Sequence, residues 1–377
     1  MPGSPREIIA NISRLYALMD RDGLAAVVAR SGKNFTYLSG MVFPGTLARH
    51  LDFPDSERGV MAVWPRNGDP ALVLNSTAAD LARRDSWVKE LRLSGGYGES
   101  PYACLCTVLE ELGLAGERIG LEKNYISAQD WEAVRQRLPR LEMVDCTAMM
   151  DEVRWIKTPG EIELLKRAAD LLDEAFLATF ATIRPGITER EIHSRLIFEC
   201  LQRGAGWAHG ILNSSSNPIK YGGEGDTVFQ SGDVVHTDYV AYLEGYPGHQ
   251  NRNAIVEAAS AEQLSLYAEY RDVYLRVMAH CQPGVTAGEV YAYSIGEFEK
   301  RGWVEKSLLV GHSVGAWWHQ QEPILTKGSE IVLEESMVLA VEPHLDHWSI
   351  QDLIVVRASA PELLSDKFRT EKPFITG

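Results

Sequence analysis

The sequence predicts two folding units of different class. An α/β layered domain spans residues 1–155, and an α+β domain with an internal pseudo-twofold duplication spans residues 156–377. Three observations carry this reading. Short β-like runs alternate with helical stretches through the first 150 residues. Thr158-Pro159-Gly160-Glu161 then spells a helix start, with an N-cap, a proline at the first helical position and a capping-box glutamate. Finally, Arg184-Pro185-Gly186-Ile187-Thr188 with Glu191 recurs as Gln282-Pro283-Gly284-Val285-Thr286 with Glu289.

In the first unit, Ile8, Ile9, Ile12, Leu15 and Leu18 recur on one face and predict a helix over residues 5–22. Strand-like runs follow at 24–29, 60–64 and 71–74, with helical stretches at 77–83, 102–112 and 127–138. In the second unit, each proline-glycine turn closes one amphipathic helix and opens another. A β-rich segment follows each pair, at 234–241 and at 337–341.

Each β-rich segment reads as a hairpin. A turn centred on Leu243-Glu244 sets Asp238 opposite His249, and one centred on Asp346-His347 sets Glu342 opposite Gln351. Opposed residues lie ~5 Å apart on one face of an antiparallel pair. Both carboxylates sit in runs of Val, Leu and Ile, where an unpartnered charge is expensive.

The chain has 377 residues and 37 Lys+Arg against 52 Asp+Glu, a net charge of −15 that argues against a nucleic-acid surface. With 45% hydrophobic residues it is neither a disordered chain nor a collagen-like repeat. Cys104, Cys106, Cys146, Cys200 and Cys281 are odd in number and form no C-x-x-C pair, which predicts a reducing compartment rather than a disulfide scaffold. MPGSPREIIANIS lacks a signal-peptide core, and no run approaches the ~18 apolar residues of a membrane helix. The expectation is a cytoplasmic protein without a membrane or nucleic-acid partner.

Seven of the ten histidines, namely His209, His236, His249, His312, His319, His344 and His347, lie in or beside these segments. A lone histidine is usually structural, but this concentration beside two carboxylates favours a site. Gly311 and Gly315, in the segment from Leu309 to His319, are expected to turn the strand end sharply and expose His312. Gly311-His312-Ser313-Val314-Gly315 also fits the G-x-S-x-G nucleophile elbow, which requires a strand–turn–helix context and further strands behind it. Only 62 residues follow Gly315, so the serine-hydrolase reading ranks lower.

Taken in order, these motifs resemble the creatinase / Xaa-Pro peptidase / methionine aminopeptidase superfamily. Phe35-Thr36-Tyr37-Leu38-Ser39-Gly40 looks like its N-terminal domain, and Arg154-Trp155-Ile156-Lys157 with Glu161 looks like its linker. Ser231-Gly232-Asp233 leads to Asp238, and Gly245-Tyr246 leads to Arg252. Gly311-His312 with Gly315 and His319, then Val341-Glu342-Pro343, complete the likeness. The resemblance implies a pita-bread C-terminal domain, a homodimer, and hydrolysis of a C–N bond in a small polar nitrogenous substrate. A binding module that has lost its chemistry, or a lyase on the same fold, are the alternatives.

In the metallopeptidases of this superfamily, Asp, Asp, His, Glu and Glu hold two divalent ions. By position these fall on Asp238, His249, His312, Glu342 and Gln351. Two of the four carboxylates are thus replaced, so the resemblance implies at most one Zn, Fe or Mn ion, or a metal-free site as in creatinase. His312, His319, Glu342 and Asp238 are the catalytic candidates; Tyr221, Trp317 and Trp348 are candidates for substrate binding, and Arg252 either for that or for orienting Asp238 or Glu342.

Overall fold

The computed structural model describes residues 7–43, 48, 51, 53, 54, 56–304 and 307–377. The chain divides into two compact units, Met1–Arg154 and Trp155–Gly377. Among the described residues the first unit is built on a mixed six-stranded sheet. Its strands are β1 (Ala26–Ala29), β2 (Met61–Pro65), β3 (Ala71–Asn75), β4 (Glu90–Ser94), β5 (Arg118–Leu121) and β6 (Glu142–Asp145), in the order β4-β3-β2-β1-β5-β6.

The three strands read from sequence are those buried on both faces, which is why they appear as unbroken apolar runs. The edge strands β4 and β6 carry exposed polar residues and give no such signal. The first helix begins at Ile12 rather than residue 5, because the Asn11 side chain accepts from the Arg14 N–H and caps it there. Residues 5 and 6 of that expected helix lie outside the described residues.

The second unit opens with helix Pro159–Phe180, whose capping box is complete: the Thr158 hydroxyl accepts from the Glu161 N–H, and Glu161 accepts from the Thr158 N–H. Helix Glu189–Gln202 follows, then β7 (Trp207–Ser214), β8 (Val234–Leu243), β9 (Tyr246–Gln250) and β10 (Ala254–Ile255). The pattern then repeats, with helices Ala261–His280 and Ala287–Glu299 followed by β11 (Leu309–Gly315), β12 (Trp318–Thr326) and β13 (Val338–Val341). The hairpin β14 (His344–Leu345) and β15 (Trp348–Ser349) leads into β16 (Asp352–Val355), β17 (Glu362–Leu363) and β18 (Phe374–Ile375).

The duplication extends to single hydrogen bonds. Gly186 N–H donates to Phe229 O at 3.0 Å, and Gly284 N–H donates to Leu333 O at 2.9 Å. In return, Phe229 N–H reaches Ile187 O, and Leu333 N–H reaches Val285 O. Each half therefore builds its own sheet, β18-β10-β8-β7 with β9 on β8, and β12-β11-β13-β16-β17. Each also has its own core, with Phe176, Phe180 and Tyr239 in the first and Tyr270, Tyr274 and Ile354 in the second.

The second hairpin keeps the expected register. Val341 pairs with Asp352 and His344 with Ser349, the same offset on both sides of Glu342 and Gln351. The first differs by two residues. Glu244 and Gly245, both at positive φ, form the turn, so His249 pairs with Val240 and Asp238 falls opposite Asn251. A shift of two leaves every side chain on its original face, so His249 and Asp238 still share one surface.

The two sheets meet where Asn251 and Gln351 exchange backbone hydrogen bonds at 3.3 and 3.2 Å. Arg252 lies under this seam. Its guanidinium bonds the Asn251 and Gln351 carbonyls, Asp173 from helix Pro159–Phe180, and Asp352 from β16. It is 1% exposed, and these contacts turn it away from the cavity described below; the expectation that it binds substrate is corrected accordingly. Burial pushes Asp173 up to about 6, in spite of Arg252, which pulls it down.

Replacing Arg252 by Met strands two buried carboxylates and is expected to cost about 3–5 kcal/mol, read as a lower urea midpoint. Gly248 faces helix Pro159–Phe180, where an added Cβ would meet Ala168 O at 2.2 Å. Gly248→Ala is therefore expected to destabilise by roughly 1–3 kcal/mol. Gly296, in helix Ala287–Glu299, has nothing within 4 Å of such a Cβ, and Gly296→Ala is expected to gain about 0.5–1 kcal/mol in the same assay.

Candidate active site

On β8, His236 and Asp238 alternate onto the face that the β9 hairpin folds over, bringing His249 back beside Asp238. β11 delivers His312 and pairs with β13, whose end carries Glu342; the Glu342 N–H donates to Val310 O. Gly311 allows that pairing, since a Cβ there would meet Ala340 O at 2.4 Å. It lies within the strand rather than at a sharp turn, so His312 is 2% exposed instead of displayed, which corrects the expectation. Nor is there a nucleophile elbow. β11 runs on into the hairpin with β12, and the buried Ser313 hydroxyl accepts from Lys157 Nζ at 2.8 Å.

These side chains face one cavity of about 460 Å³, which Lys220, Tyr221, Asp238, His249, His312, His319, Glu342 and His344 help to line. Two carboxylate–imidazole pairs dominate it. Asp238 Oδ1 lies 3.0 Å from His249 Nε2, and Oδ2 accepts from the Tyr221 hydroxyl at 2.6 Å. Glu342 Oε1 lies 3.3 Å from His312 Nε2, and Oε2 lies 3.5 Å from His344 Nε2. Burial drives both carboxyls upward, but hydrogen bonds from His249 and Tyr221 to Asp238, and from His312 and His344 to Glu342, hold both well below the usual range.

His312 Nδ1 lies 3.0 Å from Ser313 O, an acceptor only, while its Nε2 faces a carboxylate. Nδ1 therefore carries a proton, and a second proton on Nε2 would make the ring an imidazolium that Glu342 favours. Burial opposes that charge, yet Glu342 outweighs it and raises the His312 pKa. His319 meets the opposite environment. Burial and then the neighbouring His249, His209 and His312 push it down to about 3, so it is neutral, with Nδ1 3.0 Å from the Tyr242 hydroxyl. The Nδ1 of His249 is buried without a hydrogen-bond partner.

Tyr221 thus reaches the cavity, whereas two other expected substrate-binding residues do not. Trp348 is 4% exposed and packs edge-on against Tyr267 at 5.3 Å, inside the second core. Trp317 occupies the β11–β12 turn at φ 65° with its N–H on Gly245 O. Gln351 lies behind the cavity. With the Asn251 amide oriented to satisfy its neighbours, its nitrogen is 2.8 Å from Gln351 Oε1 and 3.2 Å from Asp238 Oδ1. Gln351 Nε2 is buried without a partner. His344 was counted among the clustered histidines but given no role, although its place two residues past Glu342 is a same-face signal.

The residues present do not fit a pair of divalent ions. Only two carboxylates face the cavity at the five family positions, and each is already hydrogen-bonded to imidazole or phenol. Among the described residues, no group of three or more His, Cys, Asp or Glu side chains is arranged to hold a metal ion. No described helix is long and apolar enough to cross a membrane.

Comparison with known proteins gives matching family models over both units. Residues 11–156 match the Creatinase/Prolidase N-terminal domain, and residues 163–358 match Metallopeptidase family M24. An uncharacterized peptidase of Bacillus subtilis (strain 168), YqhT, is 27% identical over 66% of this chain and 70% of its own length. A Xaa-Pro dipeptidase of Lactobacillus helveticus is 23% identical over 86% of this chain and 89% of its own. Among solved structures, a Xaa-Pro dipeptidase from Bacillus anthracis superposes with a TM-score of 0.80 at 22% identity, covering 97% of this chain and 99% of that one. The two-unit fold with a pita-bread second half, read first from the sequence, is that of these proteins. Since one family model spans more than half of the residues, the chain belongs to Metallopeptidase family M24 and carries the creatinase/prolidase N-terminal domain.

Proposed function

We propose that this chain is a hydrolase that cleaves a C–N bond in a small polar nitrogenous substrate. Membership of a peptidase family gives the hydrolase class. The observation that carries the finer reading is that two carboxylate–imidazole pairs, Asp238–His249 and Glu342–His312, line one cavity and hold opposite proton inventories. Asp238 and His249, 3.0 Å apart on the cavity wall, are the pair assigned to take the proton of the attacking water. His312 holds a proton on Nε2 beside Glu342 and is the acid for the departing nitrogen. His319, neutral except in strong acid, is not that acid, although sequence alone leaves the two equivalent.

The steps balance with these residues alone. Water loses a proton to His249 and attacks the substrate carbon, the C–N bond breaks, and the nitrogen leaves with the proton from His312. Release of product returns the extra proton from His249 through solvent to His312. Tyr221 fixes Asp238 and borders the substrate space. The two carboxylates could balance the charge of at most one divalent ion (Zn, Fe or Mn), and no step above is routed through one.

Xaa-Pro dipeptides, creatine-like guanidines and cyclic amidines are the substrates to assay. Turnover of at least one is expected, and Glu342→Gln is expected to lower kcat by ~10²-fold or more. Turnover should fall as pH rises through the raised His312 pKa, because the acid then loses its proton. In Glu342→Gln that alkaline limb should move to lower pH, since the group that raises His312 is gone. Binding of these compounds without turnover, or full activity in Glu342→Gln, would refute the hydrolase reading.

A further inference from the structure

We infer that Glu189 is a positioning residue: its buried carboxylate keeps residues 215–224 off the sheet and holds them as a strap that presents Lys220 and Tyr221 to the substrate. The inference deepens the hydrolase reading and rests on it. It starts where the duplication breaks. Each half opens its second helix with a capping threonine bridged to a valine, Thr188 to Val228 and Thr286 to Val332. Val235 pairs with Ser214 on β7 as Leu339 pairs with Ser313 on β11. Beyond those points the halves diverge. β11 turns back into β12, which pairs with it and takes the next place in the sheet. β7 is the outer strand of its own sheet, and no residue from 215 to 224 belongs to a strand.

The residue after the capping threonine differs in step. In the second half it is Ala287, buried and without a polar side-chain atom; in the first it is Glu189, which is 0% exposed. Glu189 Oε1 accepts from the Ser214 N–H at 2.7 Å and from Asn217 Nδ2 at 3.1 Å. Its Oε2 accepts from Asn217 Nδ2 at 2.9 Å and from the Gly225 N–H at 3.1 Å. Both ends of the strap and a residue inside it thus converge on one carboxylate. The Ser214 N–H, which a neighbouring strand would otherwise take, is satisfied by Glu189, whose charge also suits the first turn of its helix. A carboxylate this deep is tolerated because it is fully hydrogen-bonded, and what those bonds order is the strap. Asn217 passes the constraint on. Its Oδ1 accepts from the Ile219 N–H at 2.9 Å, setting the turn that leads into Lys220 and Tyr221. Both of these line the cavity, where the Tyr221 hydroxyl reaches Asp238 and Lys220 Nζ lies 3.4 Å from Asp346 of the other half.

Hydrogen exchange and affinity test this together. Glu189→Ala writes the residue of the second half into the first. Amide exchange over 214–225 is then expected to quicken by ~10-fold or more, with exchange in β8 unchanged. For the Xaa-Pro dipeptides, guanidines and cyclic amidines assayed above, KM should rise by about 10-fold while kcat stays within about 3-fold. Where a compound binds without turnover, Kd replaces KM. In a Lys220→Ala/Tyr221→Phe background the same change should move KM by less than about 2-fold, because the groups it places are gone; a merely structural role would weaken both backgrounds alike. Asn217→Ala removes only the partner inside the strap and leaves the helix start intact. It should quicken exchange over the same residues, and it carries the test if Glu189→Ala does not fold. Strap exchange unchanged in Asn217→Ala, exchange quickened throughout the second unit in that variant, or an undiminished KM effect in the doubly substituted background would overturn the inference. Exchange is read without substrate, so failure of the hydrolase reading and failure of this one are distinguishable.

Discussion

One buried guanidinium holds the two halves of the second unit in a fixed relation. Arg252 bonds a helix of the first half through Asp173, a strand of the second through Asp352, and the carbonyls of Asn251 and Gln351 where their sheets join. A charge this deep is tolerated because two carboxylates and two carbonyls surround it. The active-site residues on β8 and β9 belong to one half, and those on β11 and β13 to the other. Without the brace neither carboxylate–imidazole pair would face its counterpart.

Within the cavity, residue type decides less than surroundings do. His312 and His319 are drawn into the same site, yet their pKa values move in opposite directions. Glu342 outweighs burial at His312, whereas at His319 burial is reinforced by three other imidazoles. Similarly, Asp238 and Glu342 avoid the cost of an unpartnered buried carboxylate because each oxygen has its own proton donor.

Much of this was legible in the sequence where a signal is local. Capping boxes at Thr158, Thr188 and Thr286 formed as read, because their hydrogen bonds span only three residues. Strands buried on both faces announced themselves; the polar edge strands β4 and β6 did not. The packing partners of Arg252 and Trp348 were not legible because they lie about 100 and about 80 residues away, at Asp352 and Tyr267. No spacing in the sequence distinguishes an arginine aimed at a substrate from one that ties two strands. The nearness of Asp238 and His249 was readable for a geometric reason: an error of two residues in the first hairpin's turn preserves the face.

That tolerance ends at an odd number. Residues 248 and 250 of β9 face helix Pro159–Phe180, where Gln250 Nε2 donates to Ala169 O and where Gly248 leaves no space even for a methyl group. A slip of one residue would bring Pro247 or His249 against that helix backbone and carry the imidazole out of the cavity. Gly248 therefore acts as a gauge for the hairpin: the only alignments that close against the helix are those that aim His249 at Asp238. A residue with no side chain, on the face turned away from the cavity, thus proofreads the placement of His249.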